Sequence, residues 1–200
     1  MIESSVPLQY FDREFRVDAF RILPGQYKAA REGAITTVLG SCVSTCLWDP
    51  AERIGGMNHF MLPGDSASPG SPWAASARFG VYAMEVLIND MIRLGADRRR
   101  LVAKVFGGAR LLAGFERLDV GAKNSEFVLE FLGVEGIRVL AQDLLDVCPR
   151  KVHFFVDTGK VQVKRLALAP SEPVERRERE YLKLLDGKRS GDIEIFKPRR

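Results

Sequence analysis

The stretch AITTVLGSCVSTCLWDPAERIGGMNHFM, residues 34–61, contains three short apolar segments separated by turn residues. Segments 34–39, 43–49 and 53–61 are rich in β-branched and large apolar side chains, which is typical of β-strands. Gly40, Ser41 and Cys42 separate the first two segments. Asp-Pro-Ala-Glu at 49–52 separates the second and third, and these residue types favour a tight turn. The stretch therefore predicts three consecutive strands.

The remainder of the chain adds further strands and two helices. Residues 1–14 show no regular pattern, and the polar segment 64–74 is predicted to be a loop, either a functional lid or disordered. The predicted strands are 15–23, with 27–31 as its hairpin partner, then 98–106, 137–142, 151–156 and 161–166. The predicted helices are 75–94, which stops at Gly95, and 124–134, capped by Asn124 or Ser125. Many strands with few helices between them predict an α+β fold.

The domain is predicted to span residues 1–170, with a basic helical tail at 171–200. Pro173 near the start and Gly187 beyond the end delimit a helix that reaches about Leu185. Tyr181, Leu182 and Leu185 give this helix a thin apolar stripe. We expect the stripe to dock on its own domain, with a partner protein as the alternative, and the charged residues to form a solvated face.

Composition excludes several classes of function. The chain has 200 residues, 46% of them hydrophobic, and no apolar stretch approaches the ~20 residues of a membrane span. No basic segment precedes an apolar one at the N-terminus, so we expect neither a signal peptide nor membrane insertion. Three cysteines indicate a reducing compartment, the cytoplasm. The net charge is only +4, and the last 30 residues hold half of it, which argues against binding nucleic acid.

Cys42 is a candidate nucleophile. It follows Gly40-Ser41, small residues whose backbone amides could stabilise an oxyanion, and His59 is the natural base. A buried structural cysteine is the alternative, and it is the expected role of Cys46 and Cys148. His153 lies within a predicted strand, where a packed residue is expected.

No metal or nucleotide site is predicted. Cys42, Cys46 and His59 could supply three zinc ligands, but their spacing matches no established pattern and a fourth ligand is not evident. The glycine-rich segments contain neither a GxGxxG nor a Walker motif.

Several motifs in the same order resemble the CheD family of chemoreceptor glutamine deamidases, over about residues 20–166. They are Gly40-Ser41-Cys42-Val43, Asn58-His59-Phe60-Met61-Leu62-Pro63, Lys104-Val105-Phe106-Gly107-Gly108-Ala109, Gly121-Ala122-Lys123-Asn124, Arg150-Lys151-Val152-His153-Phe154 and Thr158-Gly159-Lys160-Val161. The resemblance implies a β-sandwich-like core flanked by helices, related to the bacterial toxin deamidases. It implies hydrolysis of a glutamine carboxamide through a cysteine thioester, without metal or organic cofactor.

The resemblance also implies the residues of the site. The family's cysteine and histidine correspond to Cys42 and His59, and its threonine, six positions before the cysteine, corresponds to Thr36. Thr37 is one position away, and since adjacent strand residues face opposite ways, only one threonine should point into the site. Gly40 and Ser41 would position the substrate and stabilise the oxyanion.

The implied partners are the cytoplasmic helices of methyl-accepting chemoreceptors and a CheC-type phosphatase. A module that acts chiefly by binding that phosphatase, and a thiol esterase or protease, are the alternative functions. The chain departs from the family after Asp143, where Leu144-Leu145-Asp146 replaces a common Gly-Gly pair. We expect this to alter a loop beside the site or a partner surface.

Overall fold

The computed structural model describes residues 6–62, 72–110, 120–167 and 172–187. The elements of these residues, in chain order, are β1 Leu8–Asp12, β2 Val17–Arg21, β3 Tyr27–Ala30, β4 Ala34–Leu39, β5 Val43–Asp49, β6 Ile54–Asn58, α1 Pro72–Arg93, β7 Val102–Gly107, α2 Val120–Val134, β8 Arg138–Leu144, β9 Arg150–Phe155, β10 Lys160–Arg165 and α3 Glu172–Gly187. A short 3-10 helix, Arg98–Arg100, precedes β7. None of the described helices is long and apolar enough to cross a membrane.

The strands form two five-stranded sheets, in the orders β1-β2-β4-β9-β10 and β3-β6-β5-β7-β8. Pairs β2/β4 and β7/β8 are parallel, and the other pairs are antiparallel. The predicted α+β fold is confirmed. So are the strands of segment 34–61 and the hairpin of β9 and β10.

Two neighbouring glycines of β6 show how the two sheets and helix α1 are stacked. A Cβ atom on Gly55 would lie 2.8 Å from the ring of Phe154 in the other sheet, so the sheets approach closely there. A Cβ atom on Gly56 would lie 2.6 Å from Leu87 of α1. Since successive residues of a strand face opposite ways, the second sheet has the first sheet on one side and a helix on the other. One apolar core fills each interface.

Four predictions about elements are wrong. The strand predicted from residue 98 begins only at Val102, because Arg98–Arg100 form a 3-10 helix that Asp97 caps. β1 occupies part of the segment predicted to be irregular, because it is a largely exposed edge strand that needs no regular apolar alternation. β3 pairs with β6 in the other sheet rather than with β2, because the chain crosses between the sheets after Pro24-Gly25. Helix α2 begins at Val120, so Asn124 lies within the helix and is not its cap. Residues 64–71 of the predicted loop fall outside the described residues, whereas 72–74 belong to helix α1, which begins earlier than predicted.

Helix α3 docks on the two sheets, as its apolar stripe predicted. Leu182 and Leu185 are buried in the core between the sheets, and Tyr181 packs against it. The boundary at residue 170 stays a prediction.

The segment that departs from the family has an unusual backbone. Leu145 and Asp146 have φ of 66° and 75°, a left-handed conformation that glycine adopts freely and that strains other residues. Leu145 nevertheless donates its amide to Gly107 and accepts from the buried Arg150 side chain, which hold it in place.

Candidate active site

The turn of Gly40, Ser41 and Cys42 joins β4 of one sheet to β5 of the other. Its three carbonyl oxygens are all occupied. Gly40 accepts from the amide of Ala109 at 2.7 Å, Cys42 from the amide of Gly108 at 2.8 Å, and Ser41 from Nδ2 of Asn124 at 2.9 Å. These bonds fix the orientation of the turn.

The amides of the same turn form a cradle, which we call the amide cradle. The N–H groups of Gly40, Ser41 and Cys42 donate to the Glu178 carboxylate at 2.8, 2.7 and 3.1 Å, and the Ser41 hydroxyl donates to it at 2.7 Å. Converging backbone amides beside a nucleophile are the donors that stabilise an oxyanion. The amides predicted to serve that purpose therefore do converge on one anionic group.

The glycine at position 107 lets the cradle approach β7. Gly107 has φ of 111°, and a Cβ atom there would lie 2.2 Å from the carbonyl oxygen of Cys42. A side chain at this position would therefore displace Cys42, which explains a requirement for glycine in the Gly-Gly-Ala segment.

His59 follows the end of β6 and is held by backbone and side chain. Its amide donates to Gln26 at 2.9 Å, and its carbonyl accepts from Gly25 at 2.7 Å. The Thr37 hydroxyl donates its single proton to the carbonyl of Ile22 at 2.9 Å. At 2.7 Å from His59 Nδ1, the hydroxyl oxygen must then accept the proton that Nδ1 carries. The imidazole is thereby fixed as the tautomer whose Nε2 has a free lone pair.

Cys42 and His59 lie together, as the sequence predicted. Cys42 Sγ, a ring nitrogen of His59 and a carboxylate oxygen of Glu178 all lie within 4.8 Å of one another. His59 Nε2 is buried and has no hydrogen-bond partner among the described residues. An unpaired base nitrogen beside a thiol is suited to accept its proton.

Burial keeps both groups neutral, and Glu178 adds to this effect at Cys42. Burial, together with the charge of Glu178 and a hydrogen bond to it, raises the pKa of the Cys42 thiol well above its ordinary value. Burial, with a smaller contribution from nearby Arg177, lowers the pKa of His59 to about 3. The thiol therefore remains protonated, and the imidazole remains uncharged.

The prediction that Thr36 is the threonine that points into the site is wrong. The Thr36 hydroxyl hydrogen-bonds Tyr10 at 3.1 Å, and Thr36 pairs with His153 across the sheet. Since residues alternate along β4, Thr36 faces away from the site and Thr37 faces into it. His153 lies on the side of Thr36, with Nε2 3.6 Å from Asp12, and is not part of the site.

The structure brings together one possible group of metal ligands within the described ranges, Cys42, His59 and Glu178. Cys46 belongs instead to the core between the sheets, so the zinc set considered from the sequence does not form. The carboxylate oxygens of Glu178 already accept four hydrogen bonds, three from the amides of the cradle and one from the Ser41 hydroxyl. The geometry fits a carboxylate bound by amides better than a metal site.

Sequence reasoning missed two residues of the site. The sequence predicts a solvated face for the charges of α3, but Glu178 is 1% exposed. Its position three and four residues before Tyr181 and Leu182 places it on the apolar stripe, and that spacing could have identified it. Asn124 joins the two segments that carry the site. Its Oδ1 accepts from the amide of Leu62, which follows His59, at 2.8 Å, and its Nδ2 donates to the carbonyl oxygen of Ser41.

The fold and the site define an α+β protein with a cysteine, a histidine and a threonine where its two sheets meet. A sequence model described as "CheD chemotactic sensory transduction" matches residues 61–165, more than half of the chain. The chain belongs to the CheD family.

Similar proteins extend the match to the site. A "Probable chemoreceptor glutamine deamidase CheD" of Herminiimonas arsenicoxydans is 51% identical over 189 residues, 94% of this chain and 93% of the relative. A "Probable chemoreceptor glutamine deamidase CheD 1" of Shewanella oneidensis is 49% identical over 192 residues, 95% of this chain and 93% of the relative.

The similarity to relatives also reaches the C-terminal helix. The first relative matches 189 of the 200 residues, so about 11 residues lie outside the match. Even if all of these were at the C-terminus, they would be fewer than the 13 residues that follow Gly187, the end of α3. The matched span therefore includes α3 together with Cys42 and His59. The expectation that the resemblance ends near residue 166 is wrong.

Proposed function

We propose that this protein is a cytoplasmic protein-glutamine deamidase that converts glutamine side chains of chemoreceptors to glutamate, with Cys42 as nucleophile. The names of its relatives support the substrate class. The observation that carries the chemistry is the amide cradle beside Cys42, which binds a side-chain carboxylate through three backbone amides.

In the first half of the proposed reaction, His59 Nε2 takes the proton of the Cys42 thiol, and the thiolate attacks the side-chain carbonyl carbon of glutamine. The carbonyl oxygen becomes an oxyanion, and the amide cradle stabilises it. The imidazolium then donates its proton to the nitrogen, which leaves as ammonia, and a thioester remains. Thr37 keeps Nδ1 protonated throughout, so that Nε2 is always the nitrogen that transfers the proton.

The second half repeats these steps with water. His59 takes a proton from water, and the hydroxide attacks the thioester carbon. The new oxyanion collapses and expels the Cys42 thiolate, which recovers its proton from His59. The balance is one glutamine and one water consumed, one glutamate and one ammonia formed. The reaction as proposed uses no cofactor.

Association with a CheC-type phosphatase stays a prediction from the family resemblance. A binding role would survive loss of the thiol, so the same substitution that tests the enzyme separates the two functions.

Incubation with the cytoplasmic fragment of a candidate chemoreceptor, followed by peptide mass spectrometry, tests the proposal. We expect wild type to give receptor glutamines the mass increase of an amide-to-acid change, and Cys42→Ala to lose this conversion completely. Cys148→Ala is the matched control and should convert glutamine normally, because this partly exposed cysteine lies outside the site. Receptor glutamines that stay unchanged with every chain that keeps Cys42 would contradict deamidation. Cleavage of the receptor would indicate a protease.

A further inference from the structure

A side chain of the protein itself occupies the amide cradle. Glu178 of α3 accepts all three cradle amides and the Ser41 hydroxyl, and it is 1% exposed. The end of a glutamate side chain is also the group that hydrolysis of a glutamine carboxamide leaves behind. The occupant is therefore chemically the same as the product of the proposed reaction.

We propose that α3 is an internal product mimic: Glu178 takes the place of the glutamate formed by the reaction, and α3 must withdraw before a chemoreceptor helix can present its glutamine. This inference rests on the proposed function for the identity of the product. The blocked access that it describes depends only on the geometry.

The mode of presentation matches a helical substrate. Glu178 lies in the middle of the 16-residue helix α3 and reaches the cradle from the helix surface. Leu182 and Leu185, one and two turns further along, are buried against the core between the sheets. The site thus accepts a residue from the face of an intact helix, with apolar neighbours at i+4 and i+7. A receptor helix with that spacing would compete for the same surface.

Docked α3 disables the nucleophile in two ways. Cys42 is 0% exposed and His59 is 2% exposed, so no macromolecule can reach either group. The carboxylate of Glu178, with an oxygen within 4.8 Å of the Cys42 sulfur, also disfavours the negatively charged thiolate that must attack the substrate. Withdrawal of α3 removes the steric block and the Glu178 carboxylate together, because Glu178 is part of the helix.

The first test compares Glu178→Ala with Glu180→Ala in the full chain. Glu180 is an exposed glutamate of the same helix and serves as the matched control. Loss of the charge-assisted hydrogen bonds favours the undocked helix, so we expect iodoacetamide to alkylate Cys42 about tenfold faster or more in Glu178→Ala. Receptor deamidation should rise by a similar factor. Glu180→Ala should match wild type in both measurements, and alkylation of Cys148 gives the reference rate in every chain.

The second test uses Glu178→Gln, which replaces the product mimic with a substrate mimic and keeps the size of the side chain. If the cradle is the substrate position, the protein should convert the introduced glutamine to glutamate and restore the wild-type sequence. Mass spectrometry of the α3 peptide would detect the conversion, and it should be absent in the double variant Glu178→Gln, Cys42→Ala. This measurement needs no receptor and serves as the second route if Glu178→Ala fails to fold.

The outcomes separate the two proposals. Equal alkylation of Cys42 and equal receptor deamidation in wild type and Glu178→Ala would overturn the inference while the proposed function stands. An α3 glutamine in the Glu178→Gln variant that stays unconverted while receptor glutamines react would likewise overturn the product mimic. Faster alkylation in Glu178→Ala, without conversion of either the receptor glutamines or the glutamine introduced into α3, would contradict the deamidase and keep only the blocking role of α3.

Discussion

At the scale of single residues, the site depends on which of two adjacent threonines hydrogen-bonds His59. Thr37 has one hydroxyl proton and gives it to the carbonyl of Ile22, so towards His59 it can only accept. This polarity makes Nε2 the basic nitrogen of the imidazole. Thr36, on the other face of β4, bonds Tyr10 and has no such influence.

Thr37→Val should lower kcat for deamidation by about tenfold or more, because the imidazole loses the acceptor that fixes its tautomer, and general base catalysis contributes about 10²–10⁴-fold. KM should change little, since Thr37 lies behind His59 rather than against the cradle. Thr37→Ser keeps the hydroxyl and should restore most of the rate. Thr36→Val is the matched control, and a loss of kcat as large as that of Thr37→Val would contradict the assignment. Steady-state kinetics on a receptor fragment provide the measurement.

At the scale of elements, α3 combines a polar surface with a narrow buried stripe. Leu182 and Leu185 are 4% and 2% exposed, whereas Leu184 between them is 62% exposed. The stripe holds the helix against the sheets, and this position brings the Glu178 side chain into the cradle. Docking of the helix and closure of the site are therefore one event.

Leu182→Ala should cost about 2–5 kcal/mol if α3 unfolds together with the sheets, because the substitution opens a cavity in the core. Leu184→Ala, its matched control, should change stability by less than about 0.5 kcal/mol. Urea unfolding measures both. Leu182→Ala should also speed alkylation of Cys42, although it lies outside the cradle. Wild-type stability and alkylation in Leu182→Ala would show that the stripe does not hold the helix.

At the scale of the whole molecule, the site lies where the chain passes between the two sheets. The turn at 40–42 links β4 to β5, and backbone hydrogen bonds join Gly25 and Gln26 to His59 at the other crossing. Neither sheet alone contains Cys42, His59 and Thr37. The site therefore requires the assembled sandwich, and its burial makes stability depend on pH.

The unfolding free energy should fall as pH falls from about 6.5 towards 3, partly because of His59. In the folded protein the pKa of His59 is about 3, against 6.5 for the ordinary group, so in this range the unfolded chain binds the additional proton. The contribution of the neutral imidazole to the unfolding free energy is fully present above about pH 6.5. It decreases as the pH falls from there towards 3. Between pH 7 and pH 5, wild type should lose about 2 kcal/mol more than His59→Asn.

Urea unfolding at the two pH values measures this difference, and comparing each chain with itself removes the direct cost of the substitution. His153 is present in both chains, so its titration cancels. Parallel losses in wild type and His59→Asn would mean that His59 is not buried as the structure describes.

Local residue patterns were sufficient to predict the elements whose apolar and turn residues follow a regular order. Strands β4, β5 and β6 and the β9–β10 hairpin follow from apolar runs bounded by turn residues, because these preferences act over a few neighbouring residues. The pairing of Cys42 with His59 followed from motifs that flank both residues. The edge strand β1 left no such pattern, because most of its residues face solvent.

Two features of the site depend on how the chain packs: which threonine hydrogen-bonds His59, and which side chain occupies the amide cradle. A shift of one residue along β4 exchanges the two faces of the strand, and local sequence patterns do not specify that register. Glu178 lies 136 positions after Cys42, and its role arises from the docking of α3 between the sheets. A charge in an amphipathic helix is read as solvated until its neighbours are known, because burial is a property of the assembled protein rather than of the segment.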